Sequence, residues 1–449
     1  MSDAKELRAA WDEMLTELAR ARDAIDDPAL LPAPPTDRNL AEGYRYLLGT
    51  VASALERALF EDPAFPYFRQ AISVRAKATI DNADAIYFAA PIDGEAATIV
   101  RGRAQDTRHW RGEPRAASGR LAPQYLIFEC ASGFAGDSGS LAELAPGTRA
   151  MTGMLDVSKL AVEADGSFEI LCAPERPAGF AGNFLCTRVE RRGRRYVGAY
   201  VSGRQLFYDW AREDPVELTI TRDGAELEAP PTYEPTAAAA ALRRTGEIAR
   251  AQVHFWNEFY DVLLETYGDR NGDGKRFMPR NAFNEPNAAS GATGGGMSTN
   301  IYAGGVFELG PDEALVVESR IPVSPMYIGF HLSNFWGESF DYANHITSLN
   351  GFQSETDPDG AIHYVIAHRD PGVPNWLDTT GQPEGFMAPR WAFLEKPPPA
   401  SWPTIRATRV PFAEIRKHLP AGTRRVSPDE RVAQIRIRQL HVQRRFSQA

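Results

Sequence analysis

The chain has 449 residues and a mass of 49.5 kDa, two to three times an ordinary domain. Its 43% hydrophobic and 10% aromatic content can build real cores, and 24% charged residues is ordinary for a globular protein, so wholesale disorder is excluded. A formal net charge of -10 and a pI near 5.5 argue against nucleic acid or an anionic membrane as partner, since both call for positive charge.

Leu7, Trp11, Met14, Leu18, Ala21 and Ile25 recur at helical spacing. Leu40, Tyr44, Leu47, Val51, Leu55 and Leu59 do so after the break PALLPAPPTD, which predicts a helical region over 1–70. From about Ile72 the pattern changes to short apolar runs, AIYFAAPI, ATIVRG, YLIFECA, FEILCA, YVGAYVSG and ELTITR, separated by Gly, Pro, Asp and Asn. They predict a first β unit over 71–230. Residues 237–267 return to a helix carrying Leu242, Ile248, Phe255, Phe259, Leu263 and Tyr267, so 231–285 reads as a linking helix and loop. The β pattern resumes in VFELG, ALVVESRI and HYVIAH, a second unit over 286–400. From residue 404 onward eleven Lys or Arg stand against three acidic residues, and Ser427-Pro428-Asp429-Glu430 has the form of a capping box. Residues 401–449 therefore read as a basic tail closing in a helix, laid on an acidic surface of its own chain or of a partner subunit.

The two β units resemble each other. ADGSFEILCAPERP (164–177) lies over PDGAIHYVIAHRDP (358–371) without a gap, Asn183-Phe184-Leu185 over Asn375-Trp376-Leu377, and Ile86-Tyr87 over Ile301-Tyr302. Each Ile-Tyr precedes a strand, a turn and a second strand ending in Arg103 or Arg320. This colinearity predicts an internal duplication, and with it a mainly β fold of two sandwich, jelly-roll-like units with helical additions at the start, middle and end.

In a duplicated chain a packing role asks for the same residue class in both copies, whereas a site can reside in one. The second copy is the more reactive: His368-Arg369-Asp370 replaces Pro174-Glu175-Arg176, Asp378-Thr379 replaces Cys186-Thr187, and His331, His345, His363 and His368 are half of the eight histidines. Imidazole, carboxylate and guanidinium at one strand end can move a proton and hold an anion. His368 is thus the candidate proton carrier, Asp370 or Asp378 the group that orients it, and Arg369 or Arg390 the anion clamp. Asn375 adds a polar contact, and Trp336, Trp376 and Trp391 an apolar wall. The structural alternative is that Arg369 and Asp370 pin the turn before Pro371 while His368 caps a strand.

His363 and His368 are five residues apart and face opposite sides of a regular strand, and no HxH or HExxH spacing occurs, so no cofactor is predicted, while a metal held with the help of His331 or His345 from a neighbouring strand stays open. Asp269-Arg270-Asn271-Gly272-Asp273-Gly274 opens like a calcium loop, but its twelfth position is Arg280, which marks a polar turn. The loop Gly291–Gly296 lacks the Lys and Ser/Thr of a phosphate cradle, and Ser138 lacks a nucleophile-elbow context. The cysteines Cys130, Cys172 and Cys186 form no CxxC pair, which fits a reducing, cytoplasmic setting. No secretory pattern and no run of about 18 apolar residues is found, so neither export nor a membrane span is expected.

The strings NFWGESFDYANHITSLNGFQ (334–353) and HRDPGVPNWLDTTGQPEGFMAPRW (368–391) resemble the bacterial family called domain of unknown function 1214, and the stretch from DNADAIYFAAPI to RQLFYDW is similar to its weaker form. The resemblance implies β-sandwich domains and supplies no established reaction. Positions matching its polar motif are His368, Arg369, Asp370, Asn375, Trp376, Asp378, Gly381, Arg390 and Trp391, several of which the first half does not share.

The leading expectation is a cofactor-independent acid–base enzyme, a hydrolase or lyase, acting on a small organic substrate whose anionic group meets the arginines of the second β unit. The alternative is a non-catalytic ligand-binding or assembly module. Either takes a small-molecule ligand, and a homo-oligomer is compatible with both.

Overall fold

The computed structural model describes residues 3–27, 36–145, 147–225, 228–266, 278–288 and 299–446. The N-terminal periodicity yields helices α1 (Asp3–Asp26) and α2 (Asp37–Phe60). The second is capped by Thr36, whose hydroxyl accepts from the Asn39 N–H at 3.2 Å. α1 buries the stripe Ala10, Met14, Ala21 and Ile25, while Trp11 and the α2 residues Leu55 and Leu59 stay exposed. The middle helix, α3 (Pro235–Asp261), packs along both, and the Asn257 amide donates to the Ala24 carbonyl at 3.1 Å. Tyr267, the calcium-loop-like segment and positions 291–296 of the glycine-rich loop lie outside the described residues.

The first β unit contains β1 (Arg69–Ile72), β2 (Ala85–Pro91), β3 (Thr98–Arg103), β4 (Tyr125–Ala131), β5 (Met151–Asp156), β6 (Ser167–Ala173), β7 (Asn183–Cys186), β8 (Arg188–Arg191), β9 (Arg194–Val197), β10 (Tyr200–Leu206) and β11 (Glu217–Arg222). The second contains β12 (Asn300–Tyr302), β13 (Gly305–Glu308), β14 (Glu313–Arg320), β15 (Tyr327–Ser333), β16 (Ser348–Asn350), β17 (Ile362–Ala367), β18 (Trp376–Asp378), β19 (Glu384–Ala392) and β20 (Thr404–Pro411). The topologies match in their central strands. β2-β10-β4-β5 corresponds to β12-β19-β15-β16, with β13 also on β19 and β2 spanning the places of both, and β11-β3-β6-β7 corresponds to β20-β14-β17-β18; β1 and the β8-β9 hairpin are additions of the first unit. Even the parallel pairings share a register: Leu171 opposes Phe184 and Val365 opposes Trp376, the pairs that the sequence comparison superposes. Each unit closes its two sheets on an aromatic core, Phe88–Phe128–Phe168 in the first and Phe330–Tyr364 in the second.

β20 moves one expected boundary. Thr404–Pro411 is an edge strand of the second unit, paired with β14, rather than the start of a helical tail. Buried Ile405 and half-buried Ala407 alternate with exposed Thr404, Arg406 and Thr408, a strand signal that the basic composition obscured, while Val410 is buried on the opposite face.

The closing helix, α4 (Pro428–Phe446), starts at the expected capping box: the Ser427 N–H donates to Glu430 at 2.8 Å and the Glu430 N–H to Ser427 Oγ at 3.2 Å. It lies on its own chain, but its arginines meet carbonyls and rings more than acidic groups. Arg445 is fully buried, donates to the Ala83 carbonyl at 2.6 Å and stacks 4.5 Å over Trp210. Arg438 donates to Tyr342 and Ser348, Arg444 to the Trp210 carbonyl, and Arg431 pairs with Asp370 at 2.9 Å. α4 therefore ties both β units together.

Trp336 joins the second unit to the helices. Its indole N–H donates to the Asn39 carbonyl at 2.8 Å, its ring stacks on Tyr46 at 6.0 Å, and Gly43 leaves the space that the indole fills. Trp336→Ala is expected to cost about 3–5 kcal/mol, the range for a truncated core aromatic. Chemical denaturation checks this, and an unchanged midpoint would show that the helices are not anchored there.

Candidate functional site

The residues singled out around the 368–378 strand end do not converge. The His368 ring is bonded at both nitrogens, Nδ1 to Thr379 Oγ1 at 2.6 Å and Nε2 to the Leu309 carbonyl at 3.3 Å. Neither proposed orienting carboxylate holds it. Asp370 pairs with Arg431 of α4 and accepts from the Gly372 N–H, and Asp378 pairs with His345 Nδ1 at 2.9 Å while receiving the Thr380 N–H. Arg369 reaches out to Asp312 at 2.7 Å, a pair that is largely solvated. Asn375 clamps backbone, donating to the Glu355 and His363 carbonyls and accepting from the Glu355 N–H; its counterpart Asn183 does the same with Ala161 and Glu169. Trp376 is a core residue under Arg431, Trp391 is buried in the second core, and Trp336 faces the helices.

Arg390 is different. It projects into a cavity of about 20 Å³ between the two β units, lined by Asn82, Tyr87, Arg204, Asn300, Tyr302 and Tyr327, with Leu206 and Ala392 as apolar wall. Residues opposite each other on antiparallel strands share a face, so the registers place this lining. In the first unit Arg204 opposes Tyr87, and in the second Arg390 opposes Tyr302. The same registers superpose Leu206 on Ala392, Tyr125 on Tyr327 and Glu129 on His331. The cavity is thus built from one face of each copy's central strands. Each guanidinium lies over its own tyrosine, 5.8 Å for Arg204–Tyr87 and 5.7 Å for Arg390–Tyr302.

The copies differ in how the arginine is neutralised. Arg204 pairs with Glu129 at 3.0 Å; burial works against its charge, but Glu129 and the tyrosines Tyr87 and Tyr302 outweigh that and hold its pKa above the usual value. The residue equivalent to Glu129 is His331, whose Nε2 lies 3.3 Å from Arg390. Burial, then Arg390 itself, holds the His331 imidazole well below its ordinary pKa, so it is neutral and accepts at Nε2. Arg390 otherwise donates only to the Ile80 carbonyl at 3.2 Å, and among the described residues no carboxylate comes within ion-pairing distance of it. The nearby buried acids are engaged elsewhere, Asp84 with Tyr327 and Trp210 and Asp81 with Ser339.

The lining residues carry unused donors. Tyr87 accepts from the Asn82 N–H and Tyr302 from the Asn300 amide, so the proton of each phenol finds no acceptor among the described residues. Nε of both Arg204 and Arg390 is buried without a partner. Sequence reasoning named Arg390 and used Tyr87 and Tyr302 only to detect the duplication; it missed Arg204, although Arg204-Gln205-Leu206-Phe207 and Arg390-Trp391-Ala392-Phe393 share an Arg-x-x-Phe pattern.

No protein-family model and no curated protein matches the chain. Among solved structures it is similar to an uncharacterized protein from Burkholderia cenocepacia, at 27% identity over 91% of this chain and 99% of that one, with a TM-score of 0.72. A protein from Vibrio parahaemolyticus matches at 11% identity over 87% of this chain and 100% of that one, with a TM-score of 0.41.

His331 gives the site a pH signature. Its folded pKa is depressed, so the unfolded chain binds the extra proton, and the stability contributed by the neutral imidazole is complete above about pH 6.5 and lost as the pH falls below it. Relative to His331→Gln, wild type should lose stability with a slope approaching about 1.4 kcal/mol per pH unit between pH 6 and 5. Urea denaturation at several pH values measures this, and parallel slopes would show that His331 is not held neutral.

Proposed function

We propose that the chain is a ligand-binding module whose ligand is a small organic anion, held through a carboxylate between Arg390 and Arg204. The observation that carries this reading is the uncompensated guanidinium: where the first copy places Glu129 beside its arginine, the second places a neutral imidazole, leaving one positive charge at a cavity lined with free phenol and guanidinium donors. A carboxylate suits this lining because it accepts several hydrogen bonds at once and matches the planar fork of a guanidinium. The cavity volume of about 20 Å³ exceeds what one water needs, on the order of 10–15 Å³ by the same measure, and admits a head group with little more. Leu206 and Ala392 favour an organic anion over a purely inorganic one.

The acid–base reading centred on His368 draws no support from a ring already bonded at both nitrogens. Membership of the domain of unknown function 1214 family rests on the strings 334–353 and 368–391 and belongs to the same proposal. So does a cytoplasmic location; among the described residues no helix is long and apolar enough to cross a membrane.

The test is calorimetric titration with formate, acetate and propionate at constant ionic strength, alongside thermal unfolding. Wild type should bind one equivalent and be stabilised; Arg390→Gln should weaken binding at least tenfold, and His331→Glu should abolish it by supplying the missing carboxylate from within. Equal binding by all three proteins would overturn the proposal, as would stabilisation that follows ionic strength alone. Tyr302→Phe, which keeps the ring and removes the donor, should weaken binding by a factor of about 3–10, the equivalent of one hydrogen bond.

A further inference from the structure

A second site lies on the outer face of the β11-equivalent sheet of the second unit, away from the cavity. Glu318 on β14 and His363 on β17 are directly opposed in the antiparallel register, which brings their side chains together on one face. Asp359, in the turn before β17, joins them. The His363 ring is nine-tenths buried, and its Nδ1 lies 3.1 Å from Asp357 Oδ2. A carboxylate only accepts, so Nδ1 carries the hydrogen. Asp357 is fixed in turn by the Thr423 hydroxyl, which donates to its other oxygen at 2.5 Å.

His363 Nε2 is then the free end of an oriented imidazole, and it is aimed between two carboxylates. Glu318 Oε2 lies at 3.6 Å and Asp359 Oδ2 at 3.9 Å, too far for a hydrogen bond and within 4.8 Å of one another as a group. Nε2 thus faces two carboxylate oxygens across a gap, of which Asp359 Oδ2 also accepts from Arg320 and Glu318 Oε2 accepts no hydrogen bond among the described residues. The first copy shows what the same positions do when they only stabilise the sheet: Arg101 and Glu169 replace Glu318 and His363 and close directly at 3.0 Å. Arg320 bonds Glu318 Oε1 at 2.8 Å and Asp359 Oδ2 at 2.9 Å, so it braces both carboxylates and shares with the site the Asp359 oxygen that faces His363, while Oε2 of Glu318 remains turned toward the imidazole. Counting Asp357, which bonds Thr423 and His363, three carboxylates stand beside one guanidinium, Arg320, which bonds the other two; Arg406, opposite Glu318 on β20, is exposed.

We infer that Glu318, Asp359 and His363 form a divalent cation site, with Asp357 as the positioning residue that sets the histidine tautomer. One imidazole and two carboxylates suit zinc, whose tetrahedral bonds of about 2.0–2.2 Å place ligand atoms about 3.3–3.6 Å apart, so atoms that stand at 3.6 Å, 3.9 Å and within 4.8 Å of one another must draw together by up to about 1 Å. Glu318 and Asp359 are partly solvated, and Arg320, itself exposed, must move with them as they close. The carboxylate behind the histidine is the arrangement that raises imidazole basicity in metal sites.

The test is calorimetric titration of the whole chain, freed of metal by chelator, with zinc alone at pH 7.5. One equivalent should bind, His363→Gln should remove that equivalent, and Asp357→Asn should weaken it by 10–100-fold while leaving the ligand set in place. Glu169→Gln, at the equivalent position of the first unit, should bind like wild type, and circular dichroism checks that each variant is folded. Absence of binding would overturn the site, as would an equivalent that survives both His363→Gln and Glu318→Gln.

Discussion

A guanidinium cannot give up its charge when it is buried, and Arg390 is largely buried with no carboxylate at ion-pairing distance among the described residues. That constraint organises the centre of the molecule. Two copies of one β unit meet through the faces of their central strands, and each brings an arginine and a tyrosine at the same register to the junction. The first arginine is neutralised internally by Glu129, and the second is left to His331, a neutral acceptor that cannot cancel charge. The rest of the fold holds this junction closed. Tyr327 bridges Asn82 and Asp84 from across the boundary, Asn350 donates to Asp84 and to the Phe207 and Tyr208 carbonyls, and α4 lays Arg445 and His441 against Trp210.

Duplication followed by divergence explains which differences matter. Asn183 and Asn375 are identical because both clamp the same backbone, and their identity marks packing. Glu129 and His331 differ beside the two arginines, and the Arg101–Glu169 ion pair of the first copy is replaced by Glu318–His363, which does not close to hydrogen-bond distance. Both proposed sites lie where the second copy departs from the first, on opposite faces of one sandwich.

Much of the fold was legible in the sequence. The runs YLIFECA and ELTITR are β4 and β11 residue for residue, the capping box at Ser427 forms as read, and the ungapped match of 164–177 with 358–371 reflects a shared register. What escaped was the strand whose signal another pattern covered, as basic residues covered β20. The site was less legible because its residues come from strands far apart in the chain, and proximity along the chain made His368, Asp370 and Asp378 look like neighbours. In space Asp370 belongs to α4 through Arg431, and Asp378 to His345. The expectation that a site resides where the copies differ leads to the proposed cavity only through the β10–β19 alignment, which the loops between strands disguise and which connects Arg390 with Arg204 and Glu129 with His331.

The central claim is that an anion completes the junction at Arg390. Anomalous diffraction from crystals grown in bromide tests it most directly, because bromide is a small anion that locates itself without any assumption about the natural ligand. The account predicts a bromide peak within hydrogen-bond reach of the Arg390 guanidinium and the Tyr87 and Tyr302 hydroxyls. A map with bromide at exposed arginines and none in this cavity would contradict it.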